Sequence, residues 1–177
     1  MPISRIPPTQ GQLDRWFGPP PPLEPGVFEF ALVLGGTVSA GAYTAGAVDS
    51  LIGALDCLSK AQQEGRAPRH KVRLKLIAGA SGGGVNAAIA ARVLAYKYPH
   101  VTHSTSIGTG GSGNPFYDIW VNTLRLDGFL DTSDIGTELK SLFNGRPLMM
   151  ARRRLSGSAG EPRRGTGWGA RCESSSR

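Results

Sequence analysis

The chain has 177 residues, which is long enough for one domain with a hydrophobic core and too short for two. Its apolar fraction of 40% and charged fraction of 19% suit a soluble globular protein. The net charge of +7 is concentrated in residues 152–177, which hold 7 Arg against 2 Glu, so the charge does not indicate a domain that recognises specific nucleic acids.

Residues 1–26 are predicted to be a proline-rich leader to the fold. Its proline clusters at 7–8 and 19–22 favour extended, weakly packed backbone. The segment lacks the apolar core of a signal peptide, and no apolar run in the chain approaches the roughly 20 residues that span a bilayer. Cys57 and Cys172 have no spacing that favours a disulfide or a metal site. We therefore expect reduced thiols and a cytoplasmic location.

Residues 27–150 carry the alternation of apolar strands and amphipathic helices that indicates an α/β domain. The predicted elements are a strand at Phe28–Leu34, a helix from Gly41 to about Leu58, a strand at Lys71–Ala78 and a helix at Gly83–Tyr98. A glycine-rich turn follows each strand. Two such strand-turn-helix units predict a parallel sheet with right-handed crossovers, in which ligands bind where the carboxyl ends of the strands meet the helix N-termini.

The rest of the chain gives weaker signals. Residues 100–115 form a polar, glycine- and serine-rich loop, and two short helices are expected after it. Asp131 to Asp134 offer N-cap chemistry for a helix running to about Phe143. Residues 151–177 are predicted to be a disordered tail, because a segment almost without branched aliphatic residues cannot bury enough apolar surface to fold. The tail composition and the presence of only two clear strands favour a truncated or frame-shifted product.

The second glycine turn, Gly79-Ala80-Ser81-Gly82-Gly83, matches G-x-S-x-G. In a nucleophile elbow the serine occupies a strained strand-to-helix turn, and the flanking glycines avoid clashes where the backbone reverses. The motif alone is weak in a chain with 25 glycines. The apolar run before it and the helical pattern after it favour a nucleophile over a purely structural bend.

The first glycine turn lies within LVLGGTVSAGAYTAG, residues 32–46. It lacks the G-x-G-x-x-G spacing of a dinucleotide site and the lysine of a P-loop. Two interpretations remain open. The turn is either a structural bend or an oxyanion hole, in which backbone N–H groups at a helix start face a developing negative charge.

Together the two turns resemble the patatin-like phospholipase family. That family carries a turn of the form L-x-L-G-G-G-G-x-R-G-A-Y-x-x-G about forty residues before G-x-S-x-G, and this chain aligns with it over residues 32–46 without a gap. The resemblance implies a three-layer α/β fold with a parallel sheet, incomplete in this chain. It also implies that Ser81 is the nucleophile and that the amides of Gly36, Thr37 and Gly82 form the oxyanion hole.

The first turn departs from the family pattern at three positions. Thr37, Val38 and Ala40 stand where two glycines and an arginine are usual. A backbone N–H donor survives these substitutions, whereas the close approach and the φ freedom that glycine allows are lost. The likeness is expected to cover residues 28–148 at most, without the tail.

The base that would activate Ser81 is not evident from the sequence. A serine, acid, histidine order fails, because no Asp or Glu lies between Ser81 and His103, the last histidine. The resemblance implies instead a Ser-Asp dyad whose aspartate lies in a D-G-[GA] motif after a later strand. The candidates are Asp118, Asp127, Asp131 and Asp134. Only Asp127, followed by Gly128, comes near that motif, so it is either the base or a turn or cap residue.

Other polar and aromatic residues are assigned structural roles. We expect His100 and His103 to be solvated loop residues rather than metal ligands, since no third ligand has a suitable spacing. Trp120 and Phe116 are expected to belong to a helix core rather than to a substrate platform. Residues 152–154, all arginine, are expected to carry nonspecific charge.

The resemblance thus predicts a serine acyl-ester hydrolase that acts on phospholipids or lysophospholipids through an acyl-serine intermediate, with no metal or organic cofactor. Its expected partners are a lipid ester and, peripherally, a membrane surface, with no specific nucleic acid. One alternative is a truncated, non-catalytic patatin-like fragment that lacks the base aspartate. Another is an anion- or nucleotide-binding module at the two helix N-termini.

Overall fold

The computed structural model describes residues 7–19, 22, 24–37, 40–102, 111–133, 135–136, 141 and 143–157. The strands are β1 (Val27–Leu34) and β2 (Lys71–Gly79). The helices are α1 (Gln10–Phe17), α2 (Gly41–Gln63), α3 (Gly82–Val93), the single turn α4 (Pro115–Tyr117) with a π-helical segment after it (Asp118–Thr123), α5 (Leu126–Leu130) and α6 (Arg146–Gly157). The predicted strand-turn-helix repeat is present, and the α/β class is confirmed.

The two strands pair in parallel, and α2 is the crossover between them. One register shift falls between Phe30 and Ala31, after which the strands end together with Leu34 opposite Gly79. The described residues contain this one sheet of two strands, as expected of a partial patatin-like fold. Because both strands end at the same edge, the two glycine turns leave the sheet side by side.

The core lies where α3 packs on both strands and against α2. Its buried apolar residues are Leu34, Ala45, Val48, Ile52, Ile89, Ala90, Val93, Phe116, Ile119 and Ala151. The α2 members are three and four residues apart, which confirms the predicted buried face of that helix. None of the helices in the described part of the chain has the length and hydrophobicity needed to span a bilayer.

The leader and two helix ends differ from the sequence-based expectation, and one of these ends is that of α2, which runs to Gln63 rather than to about Leu58. The leader is not wholly extended, because Thr9 and Gln12 form a reciprocal capping box that starts α1 between the two proline clusters. In α3 the helix ends at Val93 rather than Tyr98. The Tyr96 N–H donates to the Val93 carbonyl at 3.1 Å, a three-residue spacing that closes the last turn before Pro99.

The helix predicted from Asp131 to Phe143 is wrong for the residues of that segment that are described, which are irregular. The Asp131 carboxylate accepts a hydrogen bond from the Ser133 N–H at 2.7 Å, and this bond lowers the pKa of that carboxyl. An aspartate that binds the backbone two residues on favours a turn over a helix. Asp134 lies outside the described residues.

The predicted disordered tail is wrong for residues 151–157, which belong to α6. Pro147, Ala151 and Leu155 recur every four residues and form the packed face of this helix. The Arg92 Nε donates to the Leu155 carbonyl at 3.2 Å, which ties the end of α6 to α3. Residues 158–177 lie outside the described part of the chain.

Candidate active site

Ser81 joins β2 to α3 with backbone dihedral angles of φ 52° and ψ −127°. It is the one non-glycine residue with positive φ in the described part of the chain. Such a backbone costs of order 1–3 kcal/mol, so neighbouring contacts must hold it in place. The Ala80 N–H donates to the Leu34 carbonyl at 3.1 Å and ties the turn to the end of β1. A strained, exposed serine at a helix start is the geometry of a nucleophile elbow.

The glycines on either side of Ser81 are required by close backbone contacts. A Cβ atom on Gly79 would overlap the Gly83 carbonyl, and one on Gly83 would overlap the carbonyl groups of Leu34 and Gly35. All of these neighbours are backbone atoms, which cannot rotate aside as a side chain does. The two outer glycines of G-x-S-x-G therefore allow β1, β2 and α3 to converge on the serine.

The turn after β1 lies against this elbow. A Cβ atom on Gly36 would lie 3.6 Å from Ser81 Cβ, and one on Gly82 would overlap Thr37 Oγ1. The Ala40 N–H donates to the Thr37 carbonyl at 2.7 Å and closes the turn where α2 begins. The structure thus brings together all four residues that the sequence proposed for the site, namely Ser81, Gly36, Thr37 and Gly82.

Two of the three departures from the family pattern, Thr37 and Ala40, fall at positions that do not need the φ freedom of glycine. Thr37 does not have a positive φ, and Ala40 has a φ of −92°. Val38 lies outside the described residues. The Thr37 hydroxyl is buried and has no hydrogen-bond partner among the described residues. The turn therefore retains a backbone N–H at position 37 and places an unpaired hydroxyl beside it.

Among the described residues none is placed as a general base for Ser81, because none of them accepts a hydrogen bond from its Oγ–H. Asp127 is exposed and binds the Arg125 Nε at 3.2 Å. This hydrogen bond lowers the pKa of the Asp127 carboxyl, which makes it a weaker proton acceptor. Asp118 instead accepts hydrogen bonds from the Ser112 N–H and the Asn122 amide. Both aspartates therefore have structural partners.

His100 is not a solvated loop residue, contrary to the sequence-based expectation. Its Nδ1 lies 2.7 Å from an oxygen of the buried Asp49, and its Nε2 lies 3.2 Å from an oxygen of Asp56. The Asn114 amide also donates to Asp49, at 2.9 Å. A signal was present in the sequence, since Asp49 falls on the apolar face of α2 and Asp56 lies two helical turns further along the same face. His103 lies outside the described residues.

A cleft of about 430 Å³ runs between α2 and residues 114–121. Most of its lining is apolar or aromatic: Ala42, Tyr43, Ala45, Gly46, Phe116, Tyr117, Trp120 and Val121. The Trp120 ring also stands 3.4 Å from the position that a Cβ atom on Gly82 would take. One end of the cleft therefore lies beside the elbow. Phe116 belongs to the core and half-buried Trp120 packs against it, as predicted, and both rings also line this cleft.

Comparison with known proteins agrees with the motifs. The sequence model of the family described as patatin-like phospholipase matches residues 32–173. This match extends past residue 148, so the expected limit of the likeness is corrected to include most of the tail. A 64-residue stretch is 50% identical to the uncharacterized protein y4iI of Sinorhizobium fredii (strain NBRC 101917 / NGR234) and spans 35% of this chain and 9% of that protein. No solved structure gave a significant match.

Proposed function

The chain belongs to the patatin-like phospholipase family, and from this premise we propose that it is a serine acyl-ester hydrolase acting on phospholipids or lysophospholipids. The observation that carries the proposal is the strained, exposed backbone of Ser81 beside the turn that contains Gly36 and Thr37. A serine held at positive φ, with two helix starts around it, serves nucleophilic attack better than it serves a simple bend.

In the proposed reaction, Ser81 Oγ attacks the carbonyl carbon of the ester. The negative charge that develops on the carbonyl oxygen would be held by the amides of Gly36, Thr37 and Gly82. The alcohol part of the lipid leaves with a proton, and water then hydrolyses the acyl-serine intermediate. The proton of Ser81 would pass to an aspartate, as in the Ser-Asp dyad implied by the family, and none of the described aspartates contacts Ser81.

The cleft beside the elbow supports a lipid as the substrate. Its apolar lining would bind the acyl chain, while Trp120 brings its near end to Gly82. Gly46 lies in the cleft wall with no atom within 4 Å of the position that its Cβ would take. A larger side chain at this position would therefore occupy the cleft without disturbing the helix. Peripheral membrane contact and a cytoplasmic location remain predictions.

The second candidate is a non-catalytic patatin-like chain that keeps the elbow and lacks the base. The absence of a hydrogen bond to Ser81 Oγ from the described residues favours it. Such a protein would bind a lipid ester in the cleft without turning it over.

A fluorophosphonate probe separates the two candidates. The purified chain should be labelled covalently, whereas Ser81→Ala, with an unchanged far-UV spectrum, should not. Labelling that survives the Ser81→Ala substitution would exclude this serine as the nucleophile. A folded chain that resists the probe would favour the non-catalytic candidate.

Substitution of Gly46 tests the place of the acyl chain. We expect Gly46→Phe to slow hydrolysis of long-chain p-nitrophenyl esters about tenfold, because the ring would displace several methylene groups from the cleft. Acetyl esters, which do not reach the cleft, should be hydrolysed at the original rate. Gly46→Ala is the matched control and should preserve both rates. Equal losses with short and long esters would place the acyl chain elsewhere.

A further inference from the structure

Asn86 lies on α3 and joins the starts of both site helices, although no sequence motif singled it out. We propose that Asn86 is a positioning residue that, through Trp120, sets the spacing between the two halves of the oxyanion hole. The inference rests on the proposed function, since the hole is defined by that reaction. One half of the hole is the turn before α2, with Gly36 and Thr37, and the other half is the elbow, with Gly82.

The Asn86 side chain is fully buried, and both of its polar groups are paired. Its Nδ2 donates to the Gly41 carbonyl, in the first residue of α2, at 2.9 Å. Its Oδ1 accepts from the Trp120 Nε1 at 2.6 Å. One amide therefore connects α3, the start of α2 and the π-helical segment.

The Trp120 ring lies between the two helix starts. A Cβ atom on Gly41 would overlap three carbons of the six-membered ring, and one on Gly82 would stand 3.4 Å from the same edge. The ring thus contacts the α2 start on one side and the elbow on the other. Because Asn86 fixes the indole by its N–H, a rotation of the ring would break this hydrogen bond and change the spacing between Gly41 and Gly82.

An oxyanion hole works only when its donors are placed precisely around the developing charge. Its donors must lie about 2.7–3.1 Å from the developing charge, so a small shift of one helix start weakens the hydrogen bonds. A buried amide with both groups paired allows one arrangement of its neighbours, because any other leaves a polar atom unpaired away from water. A leucine of similar size would fill the space without that restriction.

The main test measures fluorophosphonate labelling of Asn86→Leu and of the wild-type chain. Varying the probe concentration separates two quantities, the affinity for the probe and the first-order rate constant of serine modification. Each protein is assayed at the same interval below its own melting temperature. We expect the rate constant to fall about tenfold or more with probe affinity unchanged, since the hole acts on the charged transition state. An unchanged rate constant in Asn86→Leu would overturn the inference.

Ile89→Val is the matched control, because Ile89 is equally buried on α3 and has no polar contact with the site helices. It should lower the melting temperature and leave the rate constant of labelling unchanged. If both variants slow labelling in proportion to their loss of stability, Asn86 is an ordinary core residue. Trp120→Phe keeps a six-membered ring and removes the N–H, so its rate constant of labelling should fall less than that of Asn86→Leu. If Asn86→Leu does not fold, Trp120→Phe is measured in its place.

Hydrogen exchange tests the same inference without activity. Amides of residues 35–41 and 79–84 should exchange at least several-fold faster in Asn86→Leu than in Ile89→Val, when both are compared with the wild-type chain. Equal exchange in the two variants would contradict a positioning role. If the wild-type chain is not labelled at all, the proposed hydrolase fails, and the exchange data still decide whether Asn86 holds the two turns together.

Discussion

The two glycine turns at the carboxyl edge of the sheet use glycine for different reasons. In the elbow, a Cβ atom on Gly79 or Gly83 would overlap the backbone of a neighbouring element. In the first turn, Gly35 has open space around its Cβ position, and a Cβ atom on Gly36 would make an ordinary contact with Ser81 Cβ at 3.6 Å. Glycine is a packing requirement against backbone in the elbow and is not one at Gly35 or Gly36 of the first turn.

This difference accounts for where the chain departs from its family. The elbow retains both outer glycines of G-x-S-x-G, whereas the first turn has replaced residues at 37, 38 and 40. The two replacements that are described, Thr37 and Ala40, adopt backbone conformations open to any residue. Glycine is thus required where three backbones converge, whereas the backbone at Thr37 and Ala40 does not require it.

The largest expected effect comes from adding a methyl group in the elbow. Gly83→Ala should lower the free energy of unfolding by about 3 kcal/mol or more, because the new Cβ overlaps the carbonyl groups of Leu34 and Gly35 and only a backbone shift can relieve it. Chemical denaturation monitored by circular dichroism measures this loss.

Gly35→Ala is the matched control in the first turn. Its Cβ position is open, so stability should change by less than about 0.5 kcal/mol. Similar losses in the two variants would show that the turns do not differ in their need for glycine.

A smaller effect is expected at Gly41, where the obstacle is a side chain. Gly41→Ala should cost about 2 kcal/mol, because the new methyl group displaces the Trp120 ring. In the background of Trp120→Leu the same substitution should cost much less, since the ring is gone. A double-mutant cycle by thermal unfolding measures the coupling, and strictly additive losses would contradict a direct contact.

The sequence predicted that the candidate site residues lie close together because its signals are local. The strand ends at Leu34 and Gly79 follow from apolar runs bounded by glycine, and parallel pairing places those ends at one edge. Contact between Gly36 and Ser81 follows from that topology. Two short motifs and the parallel pairing of consecutive strands were therefore enough to predict that the candidate residues lie close together.

Other features depend on contacts between residues that are distant in the chain, and these contacts were not predicted. His100 forms a hydrogen bond with Asp49, some fifty residues earlier, and Asn86 forms one with Trp120, more than thirty residues later. The first residues of the tail are helical because Ala151 packs into the core. The arginine-rich composition around Ala151 predicted disorder instead. Composition describes a segment alone, whereas these residues are ordered by partners elsewhere.

The backbone strain at Ser81 provides another test of the elbow. Ser81→Gly should raise the free energy of unfolding by about 1.5 kcal/mol, because glycine adopts a φ of 52° without steric cost. Ser81→Ala removes the hydroxyl and keeps the Cβ, so it should bring no such gain. Both variants should lose fluorophosphonate labelling. If the alanine variant is stabilised as much as the glycine variant, the effect does not come from backbone strain.

The smallest effect is expected at Thr37, in the tolerant turn. Thr37→Val replaces a buried hydroxyl that has no partner among the described residues by a methyl group of the same shape, so stability should rise by about 1 kcal/mol. Labelling of Ser81 should continue at the original rate, since the proposed donor is the amide of residue 37 and valine retains it. Thr37→Ser keeps the hydroxyl and is the control. A loss of labelling in Thr37→Val alone would instead assign the hydroxyl to the reaction, and the turn would then owe its function to a side chain rather than to its backbone.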